Sequence, residues 1–209
     1  MPRPRSLTPS SIAAAALAVI DRGGLGMLSM RAVAAELGLS AMSLYRYVKS
    51  RDELEGLVVD AVLRGIDLEL LPGTDWRENV VRLIERARDA MRSHPSVVPL
   101  LLTRRHSSEG SVRWGEAMMR ELAEGSFQDT ERVVAFRALL SYLIGAVQVE
   151  HFGPLSGEGT AALAKLPGGE YPFLSQTARR ARSVPPSDEF RRGLDAVLRG
   201  LEGGKAAGR

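Results

Sequence analysis

The sequence contains no cysteine. Disulfides, thiolate chemistry and cysteine-held zinc or iron–sulfur centres are therefore excluded, and a reducing cytoplasm is compatible with the chain. Apolar runs are short. None reaches the roughly 20 residues that a bilayer-spanning helix needs, so no membrane partner is expected. The basic start, Met1-Pro2-Arg3-Pro4-Arg5, leads into an Ala-rich stretch that Asp21 and Arg22 close, with no cleavage site behind it. That is not the layout of a secretory signal. Catalytic signatures are also missing: there is no GxSxG elbow, no P-loop and no HExxH. Gly23-Gly24-Leu25-Gly26 lacks the third glycine of a dinucleotide loop, and His94, His106 and His151 are far apart in sequence. No enzyme is expected; a helical enzyme is the alternative class.

What is present is the composition of a helical globular protein. The 209 residues are 44% hydrophobic and 25% charged, enough for one or two buried cores. The charge is unevenly placed. Residues 1–51 carry seven Lys/Arg against Asp21 and Glu36, a net of +5, while the remainder carries 21 basic and 23 acidic groups, a net of −2. A local basic field suits a polyanion such as DNA, although a solvated surface with a basic tail would carry the same charge.

Almost every periodic stretch has the helical period, and none alternates as a strand does. Thr8-Pro9 opens a first helix that Gly23-Gly24 ends. Ser29 caps a second through Leu37, and Ser40 a third through about Tyr47. Ser50 and Glu53 have capping-box spacing at the start of a long fourth helix, which Pro72-Gly73 stops. Further helices are expected over about 75–93, 109–124 and 130–150, and residues about 96–103 read as a strongly apolar, buried stretch. Residues 153–172 read as a loop with a short helical piece at 160–166. A last helix, capped by Ser187, precedes a tail over 204–209 that is expected to be disordered. The domains are set at 1–51 for a helix-turn-helix, 52–72 for a connecting helix, and 73–203 for a larger helical ligand-binding and dimerisation domain.

The motif richest in information is Met30–Lys49. Two short helices crossing steeply need a small residue where they touch and a residue tolerant of positive φ at the turn; Ala34 and Gly38 supply these. Val33, Leu37, Leu39, Leu44 and Val48 are spaced to hold both helices to a third. Ala41, Met42, Ser43, Arg46 and Tyr47 then lie outward. Small residues at the start of this helix permit approach to base edges, and Met42 can touch a thymine methyl. Ser40, Tyr45, Tyr47 and Lys49 can reach phosphates, and Ser29 is a further candidate DNA contact. A plain helical hairpin with a packed tyrosine pair is the other reading of the same spacing.

Residues 7–57 resemble the DNA-binding domain of the tetracycline-repressor (TetR) family. The resemblance is carried by Leu28-Ser29-Met30-Arg31, Ala34, Leu37-Gly38-Leu39-Ser40, Ser43-Leu44-Tyr45-Arg46-Tyr47-Val48-Lys49 and Asp52-Glu53-Leu54. More weakly, Gly145-Ala146-Val147, Tyr171-Pro172-Phe173-Leu174, Phe190 to Asp195 and Gly200-Leu201-Glu202 are similar to the C-terminal part of the tetracycline-repressor branch. The resemblance implies an all-α homodimer acting as a ligand-responsive repressor, with an activator of the same fold as the alternative. Arg31, Ala41, Met42 and Ser43 would touch double-stranded operator DNA, and a small-molecule effector would bind within residues 75–182. His94, Leu100, Thr103, Trp114, Met118, Phe136, Gln148 and His151 are the candidate pocket residues. Leu140, Ile144, Val147, Phe190, Leu194, Val197 and Leu198 are the candidate dimer interface. No cofactor is implied. Members of that branch hold a drug–magnesium chelate with a histidine just before a Thr-Arg pair similar to Thr103-Arg104. Here that place holds Leu100 among Pro99, Leu101 and Leu102, so a metal-free, largely apolar effector is expected. A displaced site using His106 and Glu150 stays open.

Overall fold

The computed structural model describes residues 7–70 and 73–207. It is all helical among the described residues. The helices are α1 (Pro9–Gly23), α2 (Met30–Glu36), α3 (Ala41–Leu44), α4 (Arg51–Leu63), α5 (Trp76–Arg92), α6 (Val98–Arg104), α7 (Glu109–Glu124), α8 (Asp129–Phe152), α9 (Glu158–Ala164), α10 (Pro172–Ala181) and α11 (Pro186–Ala207). Short 3-10 turns lie at Leu25–Met27, Pro95–Val97 and Arg105–Ser107.

The first four helices begin where side chains can take up orphan amides. The hydroxyl of Thr8 accepts from the Ser11 amide, that of Ser29 from Ala32, that of Ser40 from Ser43 and that of Ser50 from Glu53, all within 3.2 Å. Each such cap is worth about 1 kcal/mol. The Glu53 carboxylate reaches back to the Lys49 amide at 2.7 Å rather than to the cap residue itself.

Several ends differ from expectation. α3 is a single turn ending at Leu44, because Tyr47 and Val48 both donate to the Leu44 carbonyl and tighten the chain. α4 ends at Leu63, well before the expected stop. There the chain runs on without helix, and the Arg86 guanidinium takes the Asp67 and Glu69 carbonyls at 2.9 and 2.8 Å; Pro72 lies outside the described residues. Ser187 sits inside α11 rather than capping it, because the helix already starts at Pro186. α11 is described through Ala207, and residues 208–209 of the expected tail lie outside the described residues. Propagating an existing helix through Gly203 and Gly204 costs only about 1 kcal/mol per glycine, and Ala206 and Ala207 favour it.

The helices form two compact units. One comprises the chain to Thr74 with Arg82–Arg120, and the other Asp75–Val81 with Glu121 onward. In the first, α1 packs on α4 and α2, and Ile12, Ala16, Ile20, Leu28, Val33, Leu44, Val48, Leu54 and Val58 are essentially inaccessible. Burying each large aliphatic side chain contributes about 1.5–3 kcal/mol, so this small unit rests on a dense core. In the second, α8 packs along α11. Trp76 meets Phe127 edge to face at 5.5 Å, and the Tyr142 hydroxyl donates to the Phe190 carbonyl at 2.7 Å. Arg77 ties this core to α11 through Asp195 and Glu202. By length and composition alone α8 could cross a bilayer, although no uninterrupted apolar run in it reaches 20 residues. Isolated polar residues such as Arg137 and Gln148 interrupt its apolar run without making the helix polar.

Candidate nucleic-acid interface

The chain turns sharply between α2 and α3. Gly38 adopts φ +69°, which a residue with a side chain adopts only under strain. The turn closes by a bond from the Leu39 amide to the Ala34 carbonyl at 2.8 Å. Ala34 is 1% exposed, as close crossing requires, and Val33, Leu44 and Val48 are buried beneath. Leu39, expected in this core, is instead 38% exposed, and Leu37 is half-buried.

The predicted contact residues gather on the outside of this unit. Met42 projects with 77% of its surface free, and Tyr45 and Tyr47 are about half exposed. Ala41 and Ser43 are half-buried; Ser29, Arg31, Ser40, Arg46 and Lys49 are exposed. Two of the hydroxyls serve as helix caps, and the Ser40 and Ser43 hydroxyls also bond each other at 2.9 Å. Arg22 is withdrawn from this cationic set by a two-pronged ion pair with Glu36. Hydrogen bonding to Glu36 raises the Arg22 pKa, and hydrogen bonding to Arg22 lowers that of Glu36. Among the described residues, no carboxylate pairs with Arg31, Arg46 or Lys49. The face therefore keeps its positive charge for a polyanion.

Behind the face, α4 is gripped at both ends by groups that sequence spacing did not reveal. Near its start, the Arg104 guanidinium at the end of α6 donates to Glu55 at 2.7 Å and pairs with Asp52, while Arg51 donates to the other Glu55 oxygen at 2.8 Å. Burial alone would raise the Glu55 pKa, but hydrogen bonds from Arg51 and Arg104, with their charges, outweigh it and hold the carboxyl below the usual glutamate range. Near the end of α4, one Asp60 oxygen accepts from the Ser108 hydroxyl and the Gly110 amide at 3.2 and 3.0 Å, a carboxylate at a helix N-terminus. A cleft of about 480 Å³ opens alongside, lined by Asp52, Asp60, Arg64, Arg104, His106 and Glu109 among others. These partners are about 50 residues apart in sequence, so no local pattern marks them.

The expected pocket residues are divided. Leu100, Trp114 and Met118 are buried in the first unit, and the Trp114 indole donates to the Leu83 carbonyl at 3.1 Å. Thr103 is exposed. The His94 Nδ1 bonds the Asp21 carboxylate at 2.9 Å, tying the segment after α5 to the end of α1. In the second unit Phe136 and Gln148 are half-buried, while His151 is exposed against the Phe152 ring. His106 lines the cleft beside α4, Glu150 lies half-buried on α8, and no group of three metal-ligating side chains occurs among the described residues.

The candidate dimer residues fall into two sets. Val147, Phe190, Leu194 and Leu198 are at most 3% exposed within one protomer. They are used where α8 packs on α11, because the period that makes a partner-facing stripe also makes an internal one. Leu140, Ile144 and Val197 are half-buried. The uncovered apolar surface of α8 lies instead at Val133, Val134, Val149 and Phe152, each more than half exposed.

Residues 12–55 match the family described as bacterial regulatory proteins, tetR family, and residues 70–204 match the tetracyclin repressor-like C-terminal domain. An HTH-type transcriptional regulator of Saccharopolyspora erythraea is 31% identical over 69% of this chain, the match spanning 61% of that protein's own length. The HTH-type transcriptional repressor DrrR1 of Streptomyces coeruleorubidus is 29% identical over 96% of this chain and 79% of its own. Among solved structures, apo ActR from Streptomyces coelicolor superposes with TM-score 0.80 at 26% identity, covering 97% of this chain and 98% of ActR. ActR bound to actinorhodin gives 0.77 at 27%, covering 95% and 98%. With the helix-turn-helix, the helical remainder and family matches over most of its length, the chain belongs to the tetracycline-repressor (TetR) family of transcriptional regulators, which are not enzymes.

Proposed function

We propose that the protein is a cytoplasmic homodimer that represses transcription from a palindromic operator and leaves it when a small, largely apolar organic effector binds without a metal. The observation that carries this reading is the uncompensated cationic face around α3, with Met42 and Arg31 exposed above a buried core. One such head offers few base contacts, so specificity calls for two heads on a two-fold axis. The uncovered valines of α8 support pairing, as does an apolar groove of about 280 Å³ between Val134, Phe127 and Leu201. The same surface speaks for a second copy rather than lipid, because α8 also carries Arg132, Arg137 and Glu150. The repressor name of DrrR1 supports the sign of regulation, and the actinorhodin complex of ActR supports an organic effector. Coupling follows from Arg104: α6, which bears Leu100 and Thr103, ends on a guanidinium that holds the start of α4.

The test is release of an operator complex, followed by fluorescence anisotropy. Actinorhodin and tetracycline are each added with and without a chelator. Release by an aromatic ligand in chelator supports the reading; release that requires added magnesium contradicts its metal-free part.

A further inference from the structure

We propose that Met42 is an oxidation site through which hydroperoxides switch off DNA binding, an inference that rests on α3 being the DNA-reading helix. The chain has seven methionines and no cysteine, so thioether sulfur carries all of its sulfur redox chemistry. The structure sorts six of them, Met1 lying outside the described residues. Met30, Met91 and Met118 are buried and Met119 is half-buried. Met27 and Met42 are 59% and 77% exposed. Met27 packs its side chain against Gly23 in the turn after α1. Met42 sits in the first turn of α3, held outward by the Ser40 cap and the buried Leu44. A large apolar side chain held this far into solvent contributes nothing to its own core. Its use is in contact with something else, and it is open to dissolved oxidants until that contact forms.

The chemistry needs one co-reactant, a hydroperoxide. The Met42 sulfur attacks the outer peroxide oxygen; the O–O bond breaks and an S–O bond forms. The departing oxygen takes a proton and leaves as water or an alcohol. Sulfur gives up two electrons and the peroxide gains them. The product is a polar, chiral sulfoxide where an apolar thioether stood. Such a group cannot repeat an apolar contact with a thymine methyl, so the reading head loses affinity while the shielded core methionines leave the fold intact. Operator DNA covers the same side chain, so oxidation acts on the unbound protein. Methionine sulfoxide reductases can reverse the step.

The test uses the full-length protein, free of DNA, treated with hydrogen peroxide that catalase then removes. Peptide mass spectrometry locates sulfoxides and anisotropy reports operator affinity. Met42 should oxidise ahead of Met30, Met91, Met118 and Met119. Operator affinity should fall about tenfold or more, the cost of losing one good base contact in each head, with unchanged far-ultraviolet circular dichroism. Whatever its starting affinity, Met42→Leu should bind equally before and after treatment, whereas Met27→Leu should stay sensitive. When partly oxidised wild-type protein is passed over immobilised operator, the retained fraction should be depleted of Met42 sulfoxide. Equal Met42 sulfoxide in retained and unretained fractions overturns the proposal. Failure of the underlying reading looks different: untreated protein then shows no sequence-specific binding at all.

Discussion

A buried glycine in the first turn of α7 gives the sharpest test of how the α4 segment is held. A Cβ built at Gly110 would lie 2.5 Å from the Arg64 backbone nitrogen, 2.7 Å from the Leu63 carbonyl carbon and 2.9 Å from the Arg64 Cα. Non-bonded heavy atoms prefer about 3.5–4.0 Å, so Gly110→Ala must move one helix by about 1 Å. The obstacle is main chain, and no rotamer change relieves it. The same shift would stretch the bonds from the Gly110 amide and the Ser108 hydroxyl to Asp60. Overpacking of this kind costs about 1–3 kcal/mol, which lowers Tm by roughly 2–12 °C for a chain of this length. Gly115 provides the control. It lies in the same helix with nothing within 4 Å of an added Cβ, so Gly115→Ala should stabilise by about 0.5–1 kcal/mol. Differential scanning calorimetry of both variants at equal protein concentration reads the difference. If Gly110→Ala melts at or above wild type, the close approach of α4 and α7 is wrong, and so is the holding role assigned to Asp60.

Four further outcomes are expected. Arg31→Ala should cost about 1–3 kcal/mol of specific operator binding if Arg31 reads a base, while Lys49→Ala should weaken all sequences alike and flatten the salt dependence; titrations at several salt concentrations separate the two. Arg104→Gln should leave operator binding in place but blunt effector-driven release, measured by the same anisotropy assay. Because the folded Glu55 pKa is depressed, its contribution is fully present above the ordinary glutamate value of about 4.3 and is lost as pH falls through the lower folded value; Glu55→Gln should flatten that acid limb of the stability curve. Val134→Glu, at a position already 56% exposed, should leave the protomer folded and shift sedimentation from dimer to monomer.

The reading head was legible because its signals are local. Caps at Thr8, Ser29, Ser40 and Ser50 lie within three residues of the amides they satisfy, and the positive φ at Gly38 follows from a turn that the Ala34 and Leu44 spacing already demands. Periodicity likewise located α5 and α7 to within a residue or two. It failed where the deciding partner is distant. The segment after the α4 stop at Leu63 is held to α5 through Arg86, and the Arg104 grip on Glu55 joins residues 49 apart. Nor could a helical stripe say which neighbour it meets: Leu194 and Leu198 turned inward, whereas Val133 and Val134 were left outside.

The central claim is that the exposed face of α3, presented twice by a symmetric dimer, reads DNA sequence. Selection of duplexes from a random library by the wild-type protein tests it most directly. The account predicts an enriched palindrome whose half-sites are about one helical turn or a small multiple apart, bound by an even number of chains, with enrichment lost for Arg31→Ala. Enrichment of a non-palindromic sequence, or an identical enriched sequence from Arg31→Ala at unchanged affinity, would contradict it.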